Sequence, residues 1–155
     1  LMTGLYKGSG QSCFNGKETD IRRDREIFSV IFSDFHLFDR FYGMKNIDEN
    51  KINKLLEEFE LKKRVECVDG KFSTLDLSTG QKKRLALLTT IIEDKPIYVF
   101  DEWAADQDPQ FRKYFYEELL PSFKKQGKTV IAVSHDDRYF SAADRIINLQ
   151  YGQIG

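Results

Sequence analysis

The sequence contains two cysteines, Cys13 and Cys67, with no metal-type spacing. A disulfide framework therefore has almost no raw material, and both thiols read as reduced and structural in a cytosolic compartment. A single disulfide is the alternative. No apolar run approaches the roughly 18 residues of a membrane span. The opening LMTGLYKGSG lacks the charged flank and long apolar centre of a signal peptide. It reads as the last turn of a helix ending near Gly4 or Gly8, as though the chain starts inside an element. Excess charge is also missing: the formal net charge is -1, so no basic footprint argues for nucleic acid. There is no internal repeat and no low-complexity linker.

What is present fits one soluble domain over residues 1–155, with 41% hydrophobic and 32% charged residues. SCFNGKE reads as a hairpin turning at Asn15-Gly16. Asp24 to Ile27 is a short helical approach to a β-type run at Phe28–Phe32. Asn53 to Val65 has helical spacing, with Leu55, Leu56, Phe59 and Ile52 toward one side. A second helix continues from KKRLALLTTII. Pro96–Phe100 and Thr129–Val133 are short apolar runs of the kind buried on both faces of a parallel sheet, and Asp144–Leu149 reads as a third. Between the first two lies a helix, QFRKYFYEELLPSFKK, which Pro121 bends or ends. Strands alternating with helices predict an α/β fold with a mostly parallel sheet. Residues 40–76 show little strand pattern and read as a helical insertion.

Ligands of open α/β sheets sit beyond the carboxyl ends of the strands. IYVF runs into Asp101-Glu102, and VIAV into Ser134-His135. Adjacent carboxylates after a buried strand are costly unless paired. Asp101 can hold Mg²⁺ directly or through water, Glu102 can orient or deprotonate an attacking water, and His135 can donate to a phosphoryl oxygen. The plainer alternative is that the carboxylates cap the next turn and His135 is an ordinary surface residue. LSTGQKKR, Leu77–Arg84, poses a related question. Ser78 or Thr79 would cap a helix, but Gly80 in the first turn costs roughly 1 kcal/mol relative to alanine. A helix N-terminus with Ser78, Gly80 and Gln81 is shaped to receive a phosphate. Lys82, Lys83 and Arg84 either add positive field or form a solvated face.

Together these stretches resemble the ATP-binding cassette (ABC) ATPases. Leu77 to Gln81 is similar to their signature motif LSGGQ, with Thr79 in place of a glycine. Ile97 to Glu102 resembles their Walker B strand with its glutamate, and Ala105 to Asp108 falls where their D-loop falls. His135 matches their switch histidine, and ADRIINLQYGQI their terminal strand pair. LSTGQKKRLALL, DEWAADQDP and SHDDRYF look most like exporters of cyclic and siderophore-type peptides. The resemblance implies a P-loop NTPase-like cassette with a helical and signature subdomain over about residues 40–90, which binds and hydrolyses ATP with Mg²⁺. It implies head-to-tail pairing with a second cassette, so that Ser78, Gly80 and Gln81 act in trans. Asp101 would serve the metal, Glu102 the attacking water and His135 the γ-phosphate, while Asp108 couples the two sites. A transmembrane domain upstream in the same polypeptide would place the cassette at the cytoplasmic face of the inner membrane. Two alternatives are a non-catalytic truncated cassette offering its signature in trans, and a soluble ABC ATPase without transport.

The sequence departs from the family in two places. The phosphate-cradling G-x-x-x-x-G-K-[ST] is absent. In the nearest decoy, GQSCFNGK, the glycines are one residue too far apart, and Glu18 follows where Ser or Thr belongs. By resemblance LMTGLY ends the helix after that loop, which places the loop and the adenine-stacking aromatic before Leu1. Secondly, Ser33 in SDFHLF stands at the usual glutamine of the Q-loop, where its hydroxyl can still reach Mg²⁺ through water. Phe35 and Phe38 pack either in the core or against a coupling helix, and His36 reads as a surface residue. The 155-residue chain alone is expected neither to hydrolyse ATP nor to bind it tightly; titration calorimetry showing micromolar Mg-ATP binding would contradict this.

Overall fold

Four successive apolar residues, Ile97 to Phe100, have no polar face to offer solvent, and they form the central strand of the sheet. A computed structural model describes residues 13–18, 20, 24–44, 47–151 and 153–154. Strand β6, Ile97–Asp101, lies between β3, Phe28–Ile31, and β7, Thr129–Val133. Both pairings are parallel, running from Phe28 opposite Ile97 to Asp101 opposite Val133. The carboxyl ends of all three strands therefore open on one edge.

Elements before the sheet follow local chemistry. Strands β1, Cys13–Phe14, and β2, Lys17–Glu18, form the expected hairpin, with Asn15 and Gly16 both at positive φ. Cys13 and Cys67 are both free thiols. The helix end read in LMTGLYKGSG lies outside the described residues. Helix α1, Glu49–Glu58, is capped by Asp48, whose carboxylate accepts from the Lys51 N–H at 3.1 Å. It starts earlier than its apolar spacing suggests and stops well before Val65. The stop is at Glu60, whose φ of 58° leaves the helical region. Leu61 and Val65 still reach the core, through the turn that follows.

The insertion is less helical than expected. Strands β4, Cys67–Val68, and β5, Lys71–Phe72, pair across Asp69-Gly70, a two-residue hairpin signal of the same kind as Asn15-Gly16. Helix α2, Thr79–Glu93, buries Leu85 to Leu88, and also Lys83 and Arg84. The solvated-face alternative for these two cations is therefore corrected. Four residues after each lies a fully buried leucine, Leu87 and Leu88, so both cations share inward-facing rows of the helix.

Pro121 neither ends nor breaks the third helical segment. Helix α3, Pro109–Tyr114, passes through a π-helical turn, Phe115–Leu119, into α4, Leu120–Lys125. The wide turn sits directly before the proline, where a regular ladder would meet its ring. Asp144–Leu149 does not form the third parallel strand. Residues 145–148 have no assigned strand, and only Leu149–Gln150, β8, pairs, antiparallel, with Gln153–Ile154, β9. Ile146 and Ile147 stay 51% and 52% exposed, because the three-stranded sheet ends at β7 and no strand ladders with them among the described residues.

The core joins both halves. Trp103, Phe100, Phe115 and Phe111 form an aromatic cluster that meets Phe59 at the end of α1. Leu56→Ala is expected to cost about 2–5 kcal/mol, whereas Val68→Ala on the exposed hairpin should stay within about 0.5 kcal/mol; denaturant unfolding of both variants checks the contrast.

Candidate functional site

The three strand ends deliver their side chains to one edge. After β3, the Ser33 hydroxyl and N–H donate to Asp101 Oδ2 at 3.2 and 3.4 Å. After β6, Glu102 turns into the left-handed region at φ 49°, ψ 30°. A non-glycine residue there carries roughly 1–2 kcal/mol of backbone strain, a cost commonly stored at functional sites. After β7, His135 places Nε2 3.0 Å from Glu102 Oε1. These two side chains are 87% and 44% exposed, so the pair is accessible to a ligand. A cleft of about 400 Å³ opens beside them, lined by Arg112, Tyr116, Ser134, Asp136 and Arg138.

The plainer reading of Asp101 and Glu102 as turn caps does not describe this geometry. Glu102 makes no side-chain cap bond, and Asp101 meets a serine from a neighbouring strand. Among the described residues, no cluster of three His, Cys, Asp or Glu side chains could cage a metal. Asp101 and Ser33 instead offer two hard oxygens side by side. That donor set suits Mg²⁺, which keeps several waters and takes one or two protein oxygens together with phosphates.

The signature stretch takes one of the two caps that its sequence offers. Ser78, not Thr79, caps α2. Its Oγ accepts from the Gln81 N–H at 3.3 Å, and Gln81 Oε1 accepts from the Ser78 N–H at 3.1 Å. This reciprocal box uses both side chains locally, with Ser78 exposed and Gln81 half-buried at the helix end. Gly80 has a packing reason of its own: a Cβ there would lie 2.7 Å from the Asp106 carbonyl oxygen. The close approach that this glycine permits is to the chain's own backbone.

That backbone, Ala104 to Asp108, is held from two sides. Arg112 donates to the carbonyls of Ala104, Ala105 and Gln107 at 3.0–3.1 Å. From α2, Lys83 Nζ reaches Asp106 Oδ2 at 2.7 Å and the Glu102 carbonyl at 3.0 Å. Arg84 donates to Gln107 Oε1, the Phe59 carbonyl and Glu60, pairs with Asp108, and lies 3.9 Å from the Phe111 ring centre. Asp108 spends Oδ1 capping α3 and Oδ2 on Arg84. The Phe111 N–H, and then the Arg84 guanidinium, hold its carboxyl below the ordinary range. The first turns of α2 are tied to the segment after β6 by Lys83, by Arg84, by the Trp103 indole and by the Gln107 amide, which donates to the Gly80 carbonyl at 3.1 Å. Lys83, Arg84, Arg112 and Asp136 were missed as site-builders. Nothing local in KKRLALL announces the burial of the first two, whose partners lie 19 to 25 residues away along the chain.

Two outcomes follow. Gly80→Ala, which in an open helix would gain about 1 kcal/mol, should instead lower stability, because displacing the Asp106 backbone costs about 1–3 kcal/mol; thermal unfolding reads the sign. Hydrogen bonding and charge from Arg138, with help from Arg112, lower the Asp136 carboxyl to about 2. Its stabilising contribution is complete above the ordinary value of 3.8 and is lost as pH falls through about 2. The stability gap between wild type and Asp136→Asn should therefore hold from neutral pH to about 4 and close toward 2, as followed by denaturant midpoints.

Comparison with known proteins bears on this arrangement. The family model described as ABC transporter matches residues 1–105. The ATP-binding protein SyrD of Pseudomonas syringae pv. syringae is 46% identical over 162 residues, an alignment covering 99% of this chain and 29% of SyrD. This chain thus spans less than a third of that relative. Among solved structures, a bacterial Atm1-family ABC exporter with ATP bound superposes with TM-score 0.76 at 19% identity, covering 99% of this chain and 30% of the exporter chain. CbiO1 of Clostridium perfringens, part of the ABC transporter complex cbiONQ, superposes with TM-score 0.72 at 23% identity, over 99% of this chain and 67% of its own. Both structural likenesses bear on the fold alone, a P-loop NTPase-like cassette. With the family model matching well over half of its residues, this chain belongs to the ABC transporter family.

Proposed function

We propose that this chain is the signature-bearing part of an exporter cassette, in which ATP hydrolysis energises efflux of a peptide or similar substrate. The observation that carries the reading is the convergence of Ser33, Asp101, Glu102 and His135 from three parallel strands on one accessible edge. Asp101 and Ser33 would hold Mg²⁺, which when bound supplies positive charge to the phosphates. Glu102 orients an attacking water and accepts its proton. His135 steadies the Glu102 carboxylate at 3.0 Å and would turn its exposed ring to a γ-phosphate oxygen. Positioning and electrostatics carry most of such a transfer.

The N-terminal end of α2, with Ser78, Gly80 and Gln81, would close on nucleotide held by a second cassette in a head-to-tail pair. Asp108 would contribute to that interface through the backbone it caps. A membrane-spanning domain completes the assembly at the cytoplasmic face of the inner membrane. No helix among the described residues is long and apolar enough to cross a membrane, so such spans would lie in other segments. The loop of residues 35–44 supports a docking role. Phe35 packs on the core, as one of its two readings held, while Phe38 and Tyr42 remain 57% and 63% exposed. His36, Phe38 and Tyr42 stack edge to face beside a cleft of about 320 Å³.

In the intact transporter, Glu102→Gln should lower ATP turnover at least about a hundredfold while Mg-ATP binding persists. Turnover within a few-fold of wild type would remove Glu102 from the reaction.

A further inference from the structure

We infer that Lys83 is a positioning residue for hydrolysis: its ammonium fixes the backbone of Glu102 and fastens that residue to the first turns of α2. The inference rests on Glu102 being the residue that handles the attacking water. The Lys83 side chain is only 3% exposed, and it meets Asp106 Oδ2 at 2.7 Å and the Glu102 carbonyl at 3.0 Å. A reverse link runs beside it, from the Trp103 indole N–H to the Lys83 carbonyl at 2.9 Å. Residues 83 and 102–103 thus clasp each other crosswise, side chain to main chain in both directions.

The choice of acceptor matters. A lysine that merely neutralised Asp106 would have no need of a backbone oxygen. This one spends a donor on the carbonyl of a residue at φ 49°, a conformation that L side chains leave readily for the extended region. Fixing that oxygen fixes the peptide plane between Glu102 and Trp103. Ala105 N–H, at 3.2 Å from the same oxygen, adds to the hold. The direction of the Glu102 Cα–Cβ bond follows, and with it the place of the carboxylate. At its other end Lys83 sits one turn from Ser78–Gln81. A ligand contact at the end of α2 would therefore reach Glu102 through one buried side chain, linking the nucleotide that α2 touches to the one that Glu102 serves.

Lys83→Met keeps the stem and removes the donor. In the intact transporter, kcat for Mg-ATP should fall at least about tenfold while KM stays within about twofold. Adding Asp106→Leu removes the acid left without its cation, so the double variant should regain thermal stability but not kcat. Hydrogen exchange across residues 102–107, read by mass spectrometry, should quicken at least about tenfold in Lys83→Met, independently of any turnover. Unchanged kcat in Lys83→Met, recovery of kcat in the double variant, or unchanged exchange across 102–107 would each overturn the inference. A wild-type transporter without ATPase activity would defeat the role of Glu102 itself, and the positioning role of Lys83 would fall with it.

Discussion

Two cations buried under the first turns of α2 hold together the parts on which the site is built. Taking a charge out of water costs several kcal/mol, and that cost is offset only when the charge is fully paired and hydrogen-bonded. Lys83 and Arg84 meet that condition with oxygens from three stretches of chain: the end of α1, the end of β6 and the segment 104–108, which includes the cap of α3. No buried side-chain polar atom is left without a partner among the described residues. Such a network gives little net stability against a well-packed apolar alternative, yet losing one member strands the rest at about 3–5 kcal/mol. It fixes geometry more than it adds stability, and the geometry it fixes is that of the strand ends.

The apolar core makes this possible by supplying the dry volume around the cations. Trp103 is central, packing at a tilt against Phe115 with ring centres 4.4 Å apart and donating its N–H to α2. Aromatic residues suit this place because one ring buries a large area while keeping a single polar contact. The π-helical turn at Phe115–Leu119 lets one helix serve two purposes. Phe111 faces the Arg84 guanidinium before it, and Phe123 faces Tyr98 of the sheet after it.

Much of this was legible in the sequence because the signals were local. The all-apolar IYVF has the pattern of a strand buried on both faces, Asn15-Gly16 marks a hairpin, and Ser78 or Thr79 marks the start of a helix. The convergence of Asp101, Glu102 and His135 followed from the rule that strand ends gather ligands. Where reading along the chain went astray, the deciding contact was distant. Helix α1 ends early because Glu60 adopts a left-handed conformation that its side chain does not announce. Asp144–Leu149 has the composition of a strand, yet only its last residue, Leu149, finds a ladder, and an antiparallel one. Lys83 and Arg84 look like a wetted face until the partners 19 to 25 residues away are known. Gly80 invited a ligand explanation because a helix-breaking residue in a first turn demands a neighbour, and no local pattern says whether that neighbour is a phosphate or a carbonyl.

The left-handed backbone at Glu102 sets two kinds of selection against each other. Glycine adopts that conformation without the penalty that glutamate carries. A population of variants screened only for folding would therefore drift toward glycine at this position, and one screened for the hydrolysis proposed for Glu102 would hold to the carboxylate. Few positions in a protein separate the two pressures so cleanly. Most buried residues answer to both at once, and most exposed ones to neither.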